Sequence, residues 1–304
     1  MNDVDGIVVG VDLGGTRLRA GSAPADSSVP VHGNVTQLGD RPAPARLSEL
    51  GAALDAMLVA AAPLGRVRGM AIAVPGLVAG SICAWVPNLP YLDGVDLAGI
   101  TAHVRAVGND AHFALLAEAA EGAAFERADA LLLAIGTGIG SAVLSDGRIV
   151  RGSHGAAASF GWACADIADP GDDRHGWLER HGAGPVLDAA GAAMTPPVDG
   201  RGLVAAAIAG DDRARATLDR VGATLGTALA GAVALVDPGL VIISGGLADA
   251  VESLTPSLRA ALLRQLPAHL RDIEVVGGTL GPSAGLIGAL VAARRGPDWW
   301  QVSG

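Results

Sequence analysis

The stretch Ile7-Val-Val-Gly-Val-Asp-Leu-Gly-Gly-Thr-Arg-Leu-Arg-Ala-Gly-Ser22 sets the reading of the fold. Ile7 to Asp12 is a buried strand, Leu13 to Arg17 a tight turn, and Leu18 to Ser22 a returning strand. The glycine pair supplies the backbone freedom that such a turn needs. The same pattern recurs at Ala130-Leu-Leu-Leu-Ala-Ile-Gly-Thr-Gly-Ile-Gly-Ser-Ala-Val-Leu144, where Gly136 to Gly140 forms the turn. An internal duplication of an α/β unit is the simplest explanation. Two such lobes would leave a cleft, and both glycine turns could grip one polyphosphate there through backbone N–H groups. The bland alternative is two ordinary hairpins.

Outward from these turns the chain alternates strand and helix. Strands are predicted at 67–74, 104–107, 240–243 and 273–276, and short ones within 76–95. Helices are predicted at 47–61, 111–122, 177–190, 201–209, 212–234, 254–265 and 284–294, the first starting near Ser48. Residues 23–46 read as irregular or edge structure, Asp146-Gly147 as a hairpin turn, and 149–155 as a further segment leading into a long loop.

The chain of 304 residues is 50% hydrophobic and 17% charged, enough for a sizeable core. Its net charge of -10 argues against a broad nucleic-acid or anionic-membrane surface, but not against a phosphate ligand held by backbone amides. Cys83 and Cys164 alone exclude a disulfide scaffold and a cysteine-built zinc site. With no basic leader, and with the most suspicious uncharged run, 221–236, only 16 residues long and carrying polar Thr224 and Thr227, a cytoplasmic protein without a membrane span is expected. The Gly-x-x-x-x-Gly-Lys-Ser/Thr loop, the dinucleotide fingerprint, His-Glu-x-x-His and Gly-x-Ser-x-Gly are all missing.

Asp12-Leu-Gly-Gly-Thr16, Pro75-Gly76, Asn109-Asp110 and Gly136-Thr-Gly-Ile-Gly140 occur in the order found in the ROK family. The match continues through Arg151-Gly152, Gly155, Gly161, Leu178-Glu179 and Ser244-Gly-Gly246. The chain therefore resembles that family of bacterial sugar kinases and sugar-responsive repressors over nearly its whole length. The resemblance implies a two-lobed actin-like ATPase (ribonuclease H-like) α/β fold with the active site in the interlobe cleft. The first lobe would hold residues 1–115 with the last helix and tail (284–304), and the second would hold 116–283.

By that resemblance Asp110 is the general base, accepting the proton of the sugar hydroxyl that attacks the γ-phosphate of ATP. Asp12 would orient Mg2+ directly or through its waters. Gly14, Gly15 and Thr16, with Gly136, Thr137, Gly138 and Gly140, would bring donors to phosphate, and Gly245 and Gly246 would lie near the nucleotide. Gly76, Asn88, Asn109, Asp110 and Glu179 would form the acceptor site, with His154 beside it. Each has a plainer reading on its own. Asp12 and Asn88 are ordinary turn residues, Asp110 a helix cap, Glu179 a surface helix residue and His154 a loop histidine.

The chain departs from the family at Ala158-Ser-Phe-Gly-Trp162. Ser159 stands where the family carries a sugar-binding glutamate, and Trp162 where it carries a histidine that contacts sugar and helps bind zinc. The segment 168–177 holds no cysteine, so loss of the structural zinc is expected, with Phe160, Trp162 and Trp177 packing in its place. A changed acceptor site points to an amino sugar, a carbasugar or a cyclitol rather than plain glucose, phosphorylated on the exocyclic primary hydroxyl. The alternatives are a glucokinase-like hexose 6-kinase and a non-catalytic sugar-binding protein. A repressor is disfavoured, because the first strand begins at about residue 7 and leaves no room for a helix-turn-helix. The family resemblance also implies a homodimer.

Overall fold

A computed structural model describes residues 6–246 and 251–302. Among the described residues the strands are β1 Ile7–Leu13, β2 Arg17–Pro24, β3 Thr36–Pro42, β4 Val67–Val74, β5 Leu77–Ala79, β6 Ile82–Trp85, β7 Val104–Asn109, β8 Ala130–Ile135, β9 Ile139–Ser145, β10 Arg148–Ile149, β11 Leu240–Ser244 and β12 Glu274–Gly277. The α-helices are α1 Leu47–Ala61, α2 Asp110–Glu121, α3 Trp177–Gly182, α4 Gly184–Ala192, α5 Gly200–Ile208, α6 Asp212–Val236, α7 Val251–Gln265 and α8 Ala284–Arg295. The architecture is α/β with two five-stranded sheets, ordered β3-β2-β1-β4-β7 and β10-β9-β8-β11-β12.

The chain divides into two compact units. The first comprises Met1–Ala128, Ala142–Ala158 and Pro282–Gly304, the second Asp129–Ser141 and Ser159–Gly281. In the first, β1 pairs antiparallel with β2 and parallel with β4, and β4 pairs parallel with β7. The period of two along a strand assigns each face of β1 its own partners. Ile7, Val9, Val11 and Leu13 join one core with Leu50, Leu54 and Met57 of α1. On the other face Gly10 meets α8, where a Cβ would fall 2.7 Å from Leu290 Cγ. Helix α8 thus returns from the chain end to cover β1 and β4, and crosses α2. That crossing is close because Gly288 lies directly on the Phe113 carbonyl. Phe113 in turn meets Trp299 edge-on, with ring centroids 4.8 Å apart.

In the second unit β8, β11 and β12 run parallel. Helix α6 packs closely on α7 at Gly222 and Gly226, where a Cβ would fall 2.8 Å from the Leu254 carbonyl oxygen and on the Leu258 carbonyl. By length and composition alone, 47–64 and Asp212–Val236 are apolar enough to cross a membrane, although half of the α6 window is buried in the fold.

Several local expectations are corrected. The helix predicted over 177–190 is two helices, broken at Ala183 with Pro185 in the first turn of α4. Only Arg148–Ile149 of the segment around 149–155 forms a strand. Helix α1 starts at Leu47, beside Ser48 as expected; its N-cap, Arg46, makes no side-chain bond, and Glu49 accepts from the Ala45 amide at 3.0 Å.

Adding one methyl at the α2–α8 crossing must push the two helices apart. Gly288→Ala is expected to destabilise the protein by about 1–3 kcal/mol, the usual cost of overpacking a close contact. Urea unfolding at unchanged m-value measures it, and an unshifted midpoint would contradict the tight crossing.

Candidate active site

Strands β1, β4 and β7 are parallel, so their carboxyl ends lie together, which is where open α/β sheets carry ligand sites. Asp12, the Pro75-Gly76 turn and Asn109-Asp110 occupy those ends. After β1 the chain turns at Gly14–Thr16, closed by the Gly14 amide on the Arg17 carbonyl at 2.8 Å. Among the described residues no protein acceptor is found for the Gly15 and Thr16 amides, and both residues are exposed. Such unfilled donors suit a phosphate. A Cβ on Gly15 would meet Asn88 Cβ at 3.0 Å, so this glycine lets Asn88 lie against the turn.

Asn109, not Asp110, is the N-cap of α2. Its Oδ1 accepts from the Ala111 and His112 amides at 2.9 and 3.3 Å, and its Nδ2 donates to the Gly76 carbonyl at 3.0 Å. Most of its hydrogen-bonding capacity is therefore spent on capping α2 and on tying the end of β7 to the turn after β4. Asp110 is the first helical residue, and its Oδ1 accepts from the Ala111 amide at 2.8 Å. It keeps some exposure, as a base that meets a substrate must. Burial, then the nearby Asp12 charge, push its pKa from the ordinary 3.8 up to about 7.

Asp12 is 7% exposed. Burial raises its pKa, while the Arg19 guanidinium lowers it. Arg19 Nη2 donates to Asp12 Oδ2 in an ion pair, and Arg19 Nη1 donates to the Pro282 carbonyl at 2.9 Å. The sequence reading missed Arg19. The hairpin register could have found it, since the turn that pairs Leu13 with Leu18 also sets Asp12 opposite Arg19. Asp12 Oδ1 has no protein donor among the described residues. A Mg2+ ion, which keeps much of its own water, fits that oxygen through one of its waters. His112 is buried neutral, its pKa lowered to about 4 by desolvation.

In the second unit the parallel pairing of β8 with β11 leads Gly245 onto Ile135 and Gly246 beside Gly136. Gly245 has φ +87°, and a Cβ there would fall 2.6 Å from the Ile135 carbonyl oxygen, so only glycine fits. Gly246 follows it at the end of the strand. The turn Gly136–Gly140 is closed by the Gly136 amide on the Gly138 carbonyl at 2.9 Å. Among the described residues no protein acceptor is found for the Thr137 and Gly138 amides, which fits a second phosphate contact. Glu179 braces this turn from α3. Its Oε1 accepts from the Ile139 amide at 3.1 Å and its Oε2 from the Gly176 amide at 3.3 Å.

Gly161 lies against Glu179 and so joins this cluster, flanked by Phe160 and Trp162 in a short turn. Ser159 is exposed, and so is Trp162 at 41%. The loop that follows is held by polar contacts rather than by the expected aromatic cluster. Arg180 makes two bonds to Asp169, at 3.1 and 2.8 Å, Asp172 accepts from the Arg174 and His175 amides, and Trp177 stacks on His181. Among the described residues no three His, Cys, Asp or Glu side chains gather where a metal could be held; Cys164 donates to the Asp166 carbonyl. His154 is exposed in the first unit, next to Gly155, which lies on the Val78 carbonyl.

Comparison with known proteins follows this geometry. Residues 8–295 match the ROK family. The chain is 30% identical over 300 residues to the N-acetylmannosamine kinase of Escherichia coli, covering 93% of this chain and 97% of that one. Against the bifunctional enzyme NanE/NanK of Brucella melitensis it is 33% identical over 232 residues, 74% of this chain. The match spans 43% of that bifunctional protein, less than half its length. The ROK family glucokinase of Streptomyces griseus, solved with glucose and AMPPNP, superposes with a TM-score of 0.77 at 24% identity, covering 96% of this chain and 100% of that one.

The raised pKa of Asp110 predicts a pH-dependent stability difference. A carboxyl that titrates higher in the folded than in the unfolded chain holds its proton more tightly when folded. Wild type therefore loses stability as pH climbs from about 4 towards about 7. Asp110→Asn removes that loss. In metal-free buffer the variant is expected to match wild type near pH 4 and to exceed it by on the order of 1–3 kcal/mol at pH 8. A difference that does not change between those pH values would contradict the shifted carboxyl.

Proposed function

The chain belongs to the ROK family, and on that premise we propose an ATP-dependent sugar kinase whose best acceptor is a sugar-like polyol other than plain glucose. The observation that carries the reading is that Asn88 lies against the Gly14–Thr16 turn after β1, while Asn109 and Asp110 stand at the carboxyl end of β7 in the same sheet, Asp110 within reach of the Asp12 charge. Acceptor groups and phosphate donors then sit on one rigid sheet edge.

Asn88 and the remaining Nδ2 hydrogen of Asn109 orient the ring. Asp110 takes the proton of the exocyclic primary hydroxyl as its oxygen bonds to the γ-phosphorus, the bond to the β-phosphate oxygen breaks and ADP leaves. A carboxylate with a raised pKa is a stronger base than an exposed one and still ionises near neutral pH. The amides of Gly15 and Thr16, and those of Thr137 and Gly138, donate to phosphate oxygens. Asp12 would hold Mg2+ through one of its waters, and the ion would supply positive charge to the transferring phosphate. Gly245 and Gly246 leave room for the nucleotide. Glu179 acts chiefly by bracing the 136–140 turn, and the segment 163–176 needs no structural zinc because Asp169, Asp172 and Arg180 hold it.

Ser159 and Trp162 support the choice of acceptor. A short hydroxyl replaces a charged acceptor, and an exposed indole offers an apolar surface to an acyl or carbocyclic substituent. The likeness to an N-acetylmannosamine kinase supports an amino sugar in particular. The test is a side-by-side kcat/KM comparison of glucose, mannose, N-acetylmannosamine, an aminoglucose and a C7-cyclitol, with the phosphorylated position assigned by NMR. An amino sugar or cyclitol is expected to lead. Glucose ahead by tenfold or more would establish the glucokinase reading instead, and tight nucleotide binding with no turnover would favour a non-catalytic protein.

A further inference from the structure

The side chain of Arg19 is bound to Asp12, the carboxylate proposed above to hold the cation through water. The hairpin register sets it directly opposite Asp12 on the same face of the sheet. Its guanidinium is pinned twice, by the ion pair to Asp12 and by the Pro282 carbonyl at 2.9 Å. From the other side Gly285 of α8 closes on Asp12, where a Cβ would lie 3.4 Å from the carboxylate. Asp12 is therefore wedged between a fixed guanidinium and a helix start. The neighbouring Arg17 pairs with Asp40, leaving Arg19 as the cation on Asp12. The Arg19 side chain keeps 35% exposure, so its outer edge still meets solvent.

A carboxylate already neutralised by a guanidinium attracts a bare divalent ion weakly, because the attraction of one group is offset by the repulsion of the other a few ångströms away. A cation that arrives bound to nucleotide phosphates is different. That complex carries net negative charge, and the guanidinium attracts it. We propose that Arg19 is a positioning residue that makes this site accept its divalent cation only together with the nucleotide phosphates. Asp12 then contributes through a metal-bound water, oriented by the ion pair. The proposal rests on the kinase reading for the identity of the nucleotide, but its test needs no turnover.

The experiment measures Mn2+ affinity of the full chain by electron paramagnetic resonance, with and without AMPPNP, for wild type, Arg19→Gln, Arg19→Lys and the double variant Arg19→Gln/Asp12→Asn. Wild type is expected to bind Mn2+ weakly alone and at least tenfold more tightly with AMPPNP. Arg19→Gln is expected to bind Mn2+ alone at least tenfold more tightly than wild type, and Mn2+ with AMPPNP less tightly. Arg19→Lys, which restores the charge, is expected to return towards wild type, and the double variant to lose the gain. Tight binding of Mn2+ alone by wild type overturns the proposal without any variant. So does an Arg19→Gln protein, folded by circular dichroism, whose affinity for Mn2+ alone is unchanged, or a gain that survives Asp12→Asn. Failure of the kinase reading would show separately, as absent AMPPNP binding.

Discussion

Two carboxylates, Asp12 and Asp110, are packed at the ends of β1 and β7, and Arg19 is paired with only the first of them. The remaining unbalanced charge falls on Asp110. Burial acts on both groups in the same direction, but the guanidinium offsets it at Asp12, while the Asp12 charge adds to it at Asp110. The result is a difference in basicity between two aspartates on one sheet edge. That difference rests on structure well away from the carboxylates. The β1–β2 register places Arg19, and α8 comes close enough to bury Asp12 because Gly10, Gly285 and Gly288 carry no side chains.

The second unit reaches its candidate phosphate contacts by another route. Among the described residues no Lys or Arg lies in the 136–140 turn, whose donors are backbone amides. Glu179 fixes the turn from outside by accepting from the Ile139 and Gly176 amides, and the chain leaving β11 brings Gly246 beside Gly136. Phosphate recognition through amides is what an acidic chain with net charge -10 allows, since it needs no basic patch. The loop before α3 is held by a bidentate Asp169–Arg180 pair and by Asp172, which accepts from the Arg174 and His175 amides.

Much of the fold was legible because its strands are buried on both faces and its helices are long and amphipathic. β4 and α1 lie where hydrophobic periodicity puts them, and the two glycine turns sit at the strand ends that their spacing implies. The parts that were not legible depend on contacts that no local pattern encodes. Asn109 rather than Asp110 caps α2 because the Gly76 carbonyl, 33 residues away in sequence, orients its amide. Arg19 looked like an ordinary strand residue, and only pairing across the hairpin gives it a carboxylate partner. The aromatic residues of the 158–177 loop suggested a small apolar core, but Trp162 stays exposed and Trp177 stacks on His181 instead.

The central claim is that Asp110 removes the proton from the acceptor hydroxyl, and Asp110→Asn tests it most directly. The substitution keeps the size of the side chain and its capacity to accept from the Ala111 amide, but it removes the base. Single-turnover phosphoryl transfer should fall by about 10²–10⁴-fold, while nucleotide affinity stays within a few fold of wild type. A folded variant with near-wild-type transfer would show that the proton leaves by another route and would contradict the account.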